Sequence, residues 1–274
     1  MVVDSVCFGS KADGKAVRGR IFIPENGSSI HPAVIICHGF SINYMKLLHY
    51  GEEMCNDGIC SVMFDFCGGG NEGSSDGSTL EMSVVTEQED LSLVLNAVMS
   101  YDYVDKDNIF LLGESQGGFV AAMIGLKRIR DIAGLILWYP AFAIPDYVRD
   151  MCREGIPEEY EVFGTRIGRI YAEDAMNLHP YDDIHKFKKP VLIIHGQQDD
   201  VIPVSYSQRA AECYPDVEYT VIKNAGHGFE GDDSVYARKL TSDFIFRKAS
   251  QNDKYNGLSL IQKIMAFFGR GHKG

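Results

Sequence analysis

An α/β fold, built on a mostly parallel sheet of about eight strands flanked by helices and carrying a small inserted cap, is the architecture this sequence predicts. Three observations carry that expectation. Short apolar runs alternate with longer helix-like stretches along most of the chain, the pattern of repeated strand-helix units in which helices cover both faces of a parallel sheet. The rhythm breaks once, over residues 141–189, a span too long for a single crossover. The chain has 274 residues, 45% of them hydrophobic and 23% charged, so it is long enough and ordinary enough in composition to bury one large core.

Taken in order, the turn at Lys11-Ala12-Asp13-Gly14 followed by the run 17–23 predicts an antiparallel hairpin at the sheet edge. Apolar runs at 33–37, 61–66, 109–112, 134–138, 191–195 and 218–222 predict the remaining strands. Helices are expected between and after them at 47–55, 87–99, 116–126, 205–213 and 234–248. The core therefore spans 1–140 and 190–250. In the 141–189 span, charged residues such as Asp146, Arg149 and Glu158 interleave with Tyr147, Tyr160, Phe163 and Tyr171, which reads as a cap over the strand ends. A polar linker at 251–257 precedes 258–268, where Ile261, Ile264, Met265 and Phe268 share one helical face. This amphipathic tail, 251–274, reads as docking on the domain or on a second subunit of a homodimer, with a membrane-surface helix as the alternative.

Charge narrows the partners. Lys and Arg number 26 against 38 Asp and Glu, a net charge of −12, which disfavours nucleic acid and anionic lipid surfaces. The seven cysteines, Cys7, Cys37, Cys55, Cys60, Cys67, Cys152 and Cys213, are odd in number and lack both a disulfide framework and paired metal-ligand spacing, so free thiols in a reducing cytoplasm are expected. The N-terminus has no basic region followed by a long apolar one, and no run of 18 apolar residues occurs. No stable membrane insertion is expected, and a cytoplasmic location is the default.

The chemistry is concentrated in Gly113-Glu114-Ser115-Gln116-Gly117-Gly118, which closes an apolar run and opens a helix of small residues. A serine hydroxyl attacks well only when its oxygen is held clear of the backbone beside a base, and a sharp strand-to-helix turn presents it so. Ser115 is the candidate nucleophile. The backbone N–H of Gln116, at the start of that helix, would aim at the negative charge that develops on a substrate carbonyl oxygen. A serine nucleophile needs a histidine base and a carboxylate to orient it. His227 follows the strand at 218–222 between two glycines, and Asp199 lies in the loop after 191–195. Asp199 is preferred to Asp200, which precedes Val201 where the chain turns away. His195 reads as the residue that closes its strand. The second oxyanion donor is expected from the loop His38-Gly39-Phe40, through the N–H of Phe40. The cluster Gly68-Gly69-Gly70 lacks the lysine of a phosphate cradle and reads as a loop beside the site.

Chain order Ser115, Asp199, His227 together with Phe40 resembles the α/β-hydrolase superfamily. The His38-Gly39-Phe40 loop, the serine motif, the run from His195 to Pro203 and an insert after the sixth strand are similar to the cinnamoyl and feruloyl esterase-like branch. That resemblance implies a serine esterase that needs no metal or organic cofactor and acts on a small-molecule ester of a short or aromatic acyl group. It also implies cap residues that hydrogen-bond a phenolic ring, and by position these are Asp146 and Tyr171. The glycine-rich loop 67–77 departs from the branch. A peptidase or amidase, a lipase-like acylglycerol hydrolase and a non-catalytic binding protein are the alternatives that share such a fold.

Overall fold

The computed structural model describes residues 1–70 and 72–251, with Gln251 described by its backbone alone. The amphipathic tail expected over 251–274 otherwise lies outside the described residues. The first six strands are β1 (Val2–Ser10), β2 (Ala16–Ile23), β3 (His31–Cys37), β4 (Cys60–Phe64), β5 (Val104–Glu114) and β6 (Gly134–Trp138). A short hairpin, β7 (Glu159–Val162) and β8 (Thr165–Gly168), comes next, followed by β9 (Val191–Gly196) and β10 (Val217–Ile222). Eight of these make one sheet in the order β1-β2-β4-β3-β5-β6-β9-β10. The pairs β1–β2 and β2–β4 are antiparallel and the rest parallel.

The central strands read as unbroken apolar runs because both faces are covered. In β3, Ala33, Ile35 and Cys37 enter one core while Val34 and Ile36 enter the other, the two-residue alternation of a strand placed in two hydrophobic environments. Helices α1 (Leu48–Asp57) and α7 (Gly231–Gln251) close one face with Tyr50, Met54, Phe244 and Ile245. Helices α2 (Val84–Ser100), α3 (Ser115–Lys127) and α6 (Val204–Cys213) close the other with Leu91, Val94, Phe119, Val120 and Ala210. Between β6 and β9 the chain lays down α4 (Ile144–Met151), the β7–β8 hairpin, α5 (Arg169–Ala175) and two short 3-10 turns.

Several elements differ from the sequence expectation, among them α2, β5 and the β7–β8 hairpin. Helix α2 starts at Val84 rather than 87 because Ser83 caps it: its hydroxyl accepts from the N–H of Val85 and Thr86, and Thr86 Oγ1 accepts from Ser83 N–H. Strand β5 starts at Val104 rather than 109, its first half disguised by Asp105-Lys106-Asp107, two of which face solvent. The β7–β8 hairpin was not foreseen at all; only Tyr160 and Val162 alternate inward, too faint a pattern beside glutamates.

What this topology does for function lies at the middle of the sheet. From β3 the chain steps one way to β4 and, on its return, the other way to β5. Such a switch point leaves a crevice beyond the carboxyl ends of the strands. The loops after β3, β5, β9 and β10 all open there.

Candidate active site

Ser115 stands at the switch point, where β5 turns into α3. Its φ of 50° lies in the left-handed region, a strained conformation for a non-glycine residue. The turn is tight enough that a Cβ on Gly113 would fall 2.2 Å from the Gly117 carbonyl oxygen, and one on Gly117 would fall 2.4 Å from that of Cys37. Both glycines are steric requirements of the elbow.

The loops after β9 and β10 bring the other two residues to the serine. His227 Nε2 is 3.0 Å from Ser115 Oγ, and His227 Nδ1 is 2.8 Å from Asp199 Oδ2. With the proton on Nδ1 donated to the carboxylate, Nε2 is free to accept from the serine hydroxyl. Asp199 has a wholly covered side chain. Its Oδ1 accepts from the N–H of Val201 at 2.9 Å and of Ile202 at 2.7 Å. His195 Nε2 lies 3.1 Å from Oδ2 and 2.9 Å from the Ile202 carbonyl oxygen. Both neighbours are acceptors, so that nitrogen carries the proton, and Nδ1 accepts from the Ser207 hydroxyl at 2.7 Å. Burial pushes the Asp199 carboxyl upward, but the hydrogen bonds from His195, His227 and Ile202 N–H outweigh it and hold it well below the usual carboxylate range.

Tyr139, also at a positive φ of 36°, sets its ring edge-on to His227 with centroids 4.9 Å apart. Its hydroxyl donates to Glu114 Oε2 at 2.6 Å, and Glu114 Oε1 accepts from Gly39 N–H at 3.3 Å. That bond presses the loop after β3 against the elbow. His38 pins the same loop, its Nε2 accepting from Phe66 N–H at 3.1 Å and Nδ1 donating to the Gly39 carbonyl at 2.8 Å. Burial lowers the His38 pKa, which keeps the ring neutral in this role. The glycine-rich loop backs the arrangement: Ser41 bridges to Gly70, where a Cβ would fall 1.9 Å from the Ile42 carbonyl oxygen. Gln116 lies in the first turn of α3, whose N–H groups have no partner within the helix.

Two cavities meet at Ser115. A cleft of about 530 Å³ is bordered by His227, Glu114, Tyr139, Lys46 and Tyr50. A smaller chamber of about 160 Å³ is bordered by Gln116, Ile144, Val148, Met151, Tyr171 and Ile202. Phe40, Ser115, Phe163 and Val201 border both.

The sequence profile of Hydrolase_4, serine aminopeptidase S33, matches residues 28–180, more than half of the chain. The chain belongs to this family. Among curated relatives, an uncharacterised protein of Mycobacterium tuberculosis is 28% identical over 218 residues, covering 78% of this chain and 69% of its own. The mitochondrial palmitoyl-protein thioesterase ABHD10 of Mus musculus is 25% identical over 240 residues, covering 80% and 76%. Among solved structures, ferulic-acid-bound Est1E from Butyrivibrio proteoclasticus superposes with a TM-score of 0.80 at 23% identity, covering 88% of this chain and 98% of that one. The structural likeness shows the α/β-hydrolase fold.

Within this α/β-hydrolase the two residues expected to bind a phenolic ring both have hydrogen-bond partners inside the protein. Asp146 borders neither cavity; its carboxylate is held by Arg149 at 2.5 Å on one oxygen and by the Tyr206 hydroxyl at 2.9 Å on the other. Tyr171 does line the chamber, but its hydroxyl donates to Gln116 Oε1 at 2.6 Å, so the ring offers its apolar face and no free donor. The Gln116 amide in turn donates to both oxygens of buried Glu87 at 2.9 Å. Burial drives the Glu87 carboxyl well above its ordinary range, against the pull of Gln116. Three residues escaped the sequence reading: Tyr139, Glu87 and the contact of His195 with Asp199. The four-residue spacing from His195 to Asp199 was the one available signal. Among the described residues no helix is long and apolar enough to cross a membrane.

Proposed function

We propose that the protein is a serine carboxylesterase acting on esters of short or single-ring aromatic acyl groups, hydroxycinnamoyl-type esters among them. Ser115 is the nucleophile, His227 the base and Asp199 its orienting partner. The carrying observation is the unbroken hydrogen-bonded line Asp199–His227–Ser115 opening onto the small apolar chamber. Ser115 Oγ attacks the acyl carbon while His227 Nε2 takes its proton, and the N–H groups of Phe40 and Gln116 receive the oxyanion. Collapse expels the alcohol, which takes that proton from His227, and leaves an acyl-enzyme. Water then attacks with His227 again as base, releasing the acid and free Ser115.

The same chemistry assigns the two cavities. The leaving group must lie beside the histidine that protonates it, and His227 borders the large cleft but not the chamber. The acyl group therefore enters the chamber. This chamber, about 160 Å³ against about 530 Å³ for the cleft and lined mainly by apolar side chains, favours a short chain or a single ring over a sixteen-carbon chain. The ligand of the Est1E structure, ferulic acid, supports the aromatic case.

The test compares kcat/KM of wild type and Ser115→Ala on methyl acetate, hexanoate, benzoate and ferulate, a palmitoyl thioester and an aminoacyl anilide. Short and aromatic esters should lead, with a loss of about 10⁴-fold or more in the variant. Preference for the anilide or the palmitoyl thioester, or turnover surviving the substitution, overturns the reading.

A further inference from the structure

The tip of the β7–β8 hairpin carries a side chain that folding alone does not account for. Phe163 is 75% exposed, the most exposed large apolar residue among those described. It has a φ of 48° and is followed by Gly164 at 76°, the pair of left-handed residues in a two-residue turn that favours Asn-Gly. A bulky aromatic is a poor choice there on two counts, left-handed strain and water contact, and an outlier of this kind points to a role outside folding.

Its surroundings say what that role is. The base of the hairpin is fixed: Thr79 Oγ1 donates to the Arg166 carbonyl at 2.6 Å, and a Cβ on Gly168 would fall 2.0 Å from the Leu80 carbonyl oxygen. From that base the Phe163 ring reaches Phe40, edge-on with centroids 6.5 Å apart, and Phe40 meets Tyr171 edge-on at 6.2 Å. The three rings are joined through Phe40, and Phe163 is the exposed one, bordering both chamber and cleft beside Ser115.

We propose that Phe163 is a specificity-determining substrate contact: an apolar acyl group passing Ser115 into the chamber lies against this ring and takes it out of water. The inference rests on the esterase reading above and adds the residue that discriminates among acyl groups. A hexanoyl chain or a phenyl ring has more apolar surface to lay against this ring than an acetyl group has, so apolar burial favours the larger acyl.

Phe163→Asn suits the turn while removing the ring. The ratio of kcat/KM on methyl hexanoate to that on methyl acetate should fall about tenfold, through KM, with the melting temperature equal to wild type or higher. An unchanged ratio, or equal losses on both esters with a lower melting temperature, overturns the proposal. A second measurement does not need turnover. In Phe163→Trp the new indole adds exposed emission to that of the single native tryptophan, buried Trp138. Hexanoate, a product acid, should shift the added emission to the blue and acetate should not. No shift with hexanoate overturns the contact even when esters are hydrolysed. A shift without hydrolysis by wild type leaves the contact standing and sinks the esterase reading alone.

Discussion

Asp199 and Glu87 are both shut away from water and both linked to the elbow, yet their surroundings push the two carboxyls in opposite directions. Asp199 reaches Ser115 through His227 and is surrounded by four donors: two backbone N–H groups and two imidazoles. Glu87 meets the elbow at Gln116 and, among the described residues, that amide is the side-chain donor it receives. Burial raises both carboxyls, but hydrogen bonding reverses its effect at Asp199 and fails to at Glu87. Depth in the protein does not decide whether a carboxyl is charged; the number and direction of donors does. The loop after β9 supplies two of them because its chain doubles back over Asp199, while Glu87 sits on a helix whose first N–H groups are taken by the Ser83 cap and the helix itself.

The largest way to break this contrast is to remove the charge at Asp199. Asp199→Asn should lower kcat/KM by about 10⁴-fold, since an amide neither holds the proton on Nδ1 nor stabilises the imidazolium. Activity within tenfold of wild type would move the orienting role elsewhere. The same variant has a stability signature. A carboxyl held below its ordinary pKa contributes stability that is present above the unfolded value near 4 and lost as pH falls further. Between pH 4 and 2, urea midpoints of wild type should therefore fall more steeply than those of Asp199→Asn, by up to about 1.4 kcal/mol per pH unit for one proton.

A smaller change sharpens the comparison by taking away one of the four donors. His195→Leu leaves Asp199 with a single imidazole and should lower kcat about 10- to 100-fold, the range for a hydrogen bond to a charged group, with KM little altered. His195→Gln, whose amide can still donate, should recover most of that loss. Equal losses in both variants would mean that His195 serves packing and not the carboxylate.

Most of the fold was legible because strands buried on both faces leave apolar runs that little else imitates, as at Ala33 to Cys37 and Gly134 to Trp138. The β7–β8 hairpin was not, since a half-exposed strand of alternating glutamate and apolar residues resembles a loop. Ser115, Asp199 and His227 could be read because each sits on a short loop after a strand, where chain order alone predicts convergence. Asp146 and Tyr171 were placed by position, and their side chains were then settled by partners far away in sequence, Tyr206 and Gln116. For Asp146 the nearer partner, Arg149 one turn on, was visible all along as an i,i+3 pair. Glu87 gave no signal of its own, since acidic residues are ordinary in the first turn of a helix, and only the packing of α2 on α3 shows it buried.

That burial makes Glu87 the site of the smallest predicted effect and the cleanest check on the contrast. A carboxyl raised above its ordinary pKa contributes stability that is complete below about pH 4 and lost as pH rises through the raised value. Glu87→Gln has the same shape, keeps a carbonyl oxygen for Gln116 and has no charge to bury, so it escapes that loss. Whatever fixed offset the substitution adds, the stability of the variant relative to wild type should improve from pH 5 to pH 8, by about 2–4 °C in melting temperature if the change is about 1 kcal/mol. The same pH series on Asp199→Asn should show no such gain, because Asp199 is already ionised throughout that range. A flat difference for Glu87→Gln would mean that the carboxyl is ionised in the folded protein, and that one amide donor is enough to keep a buried charge.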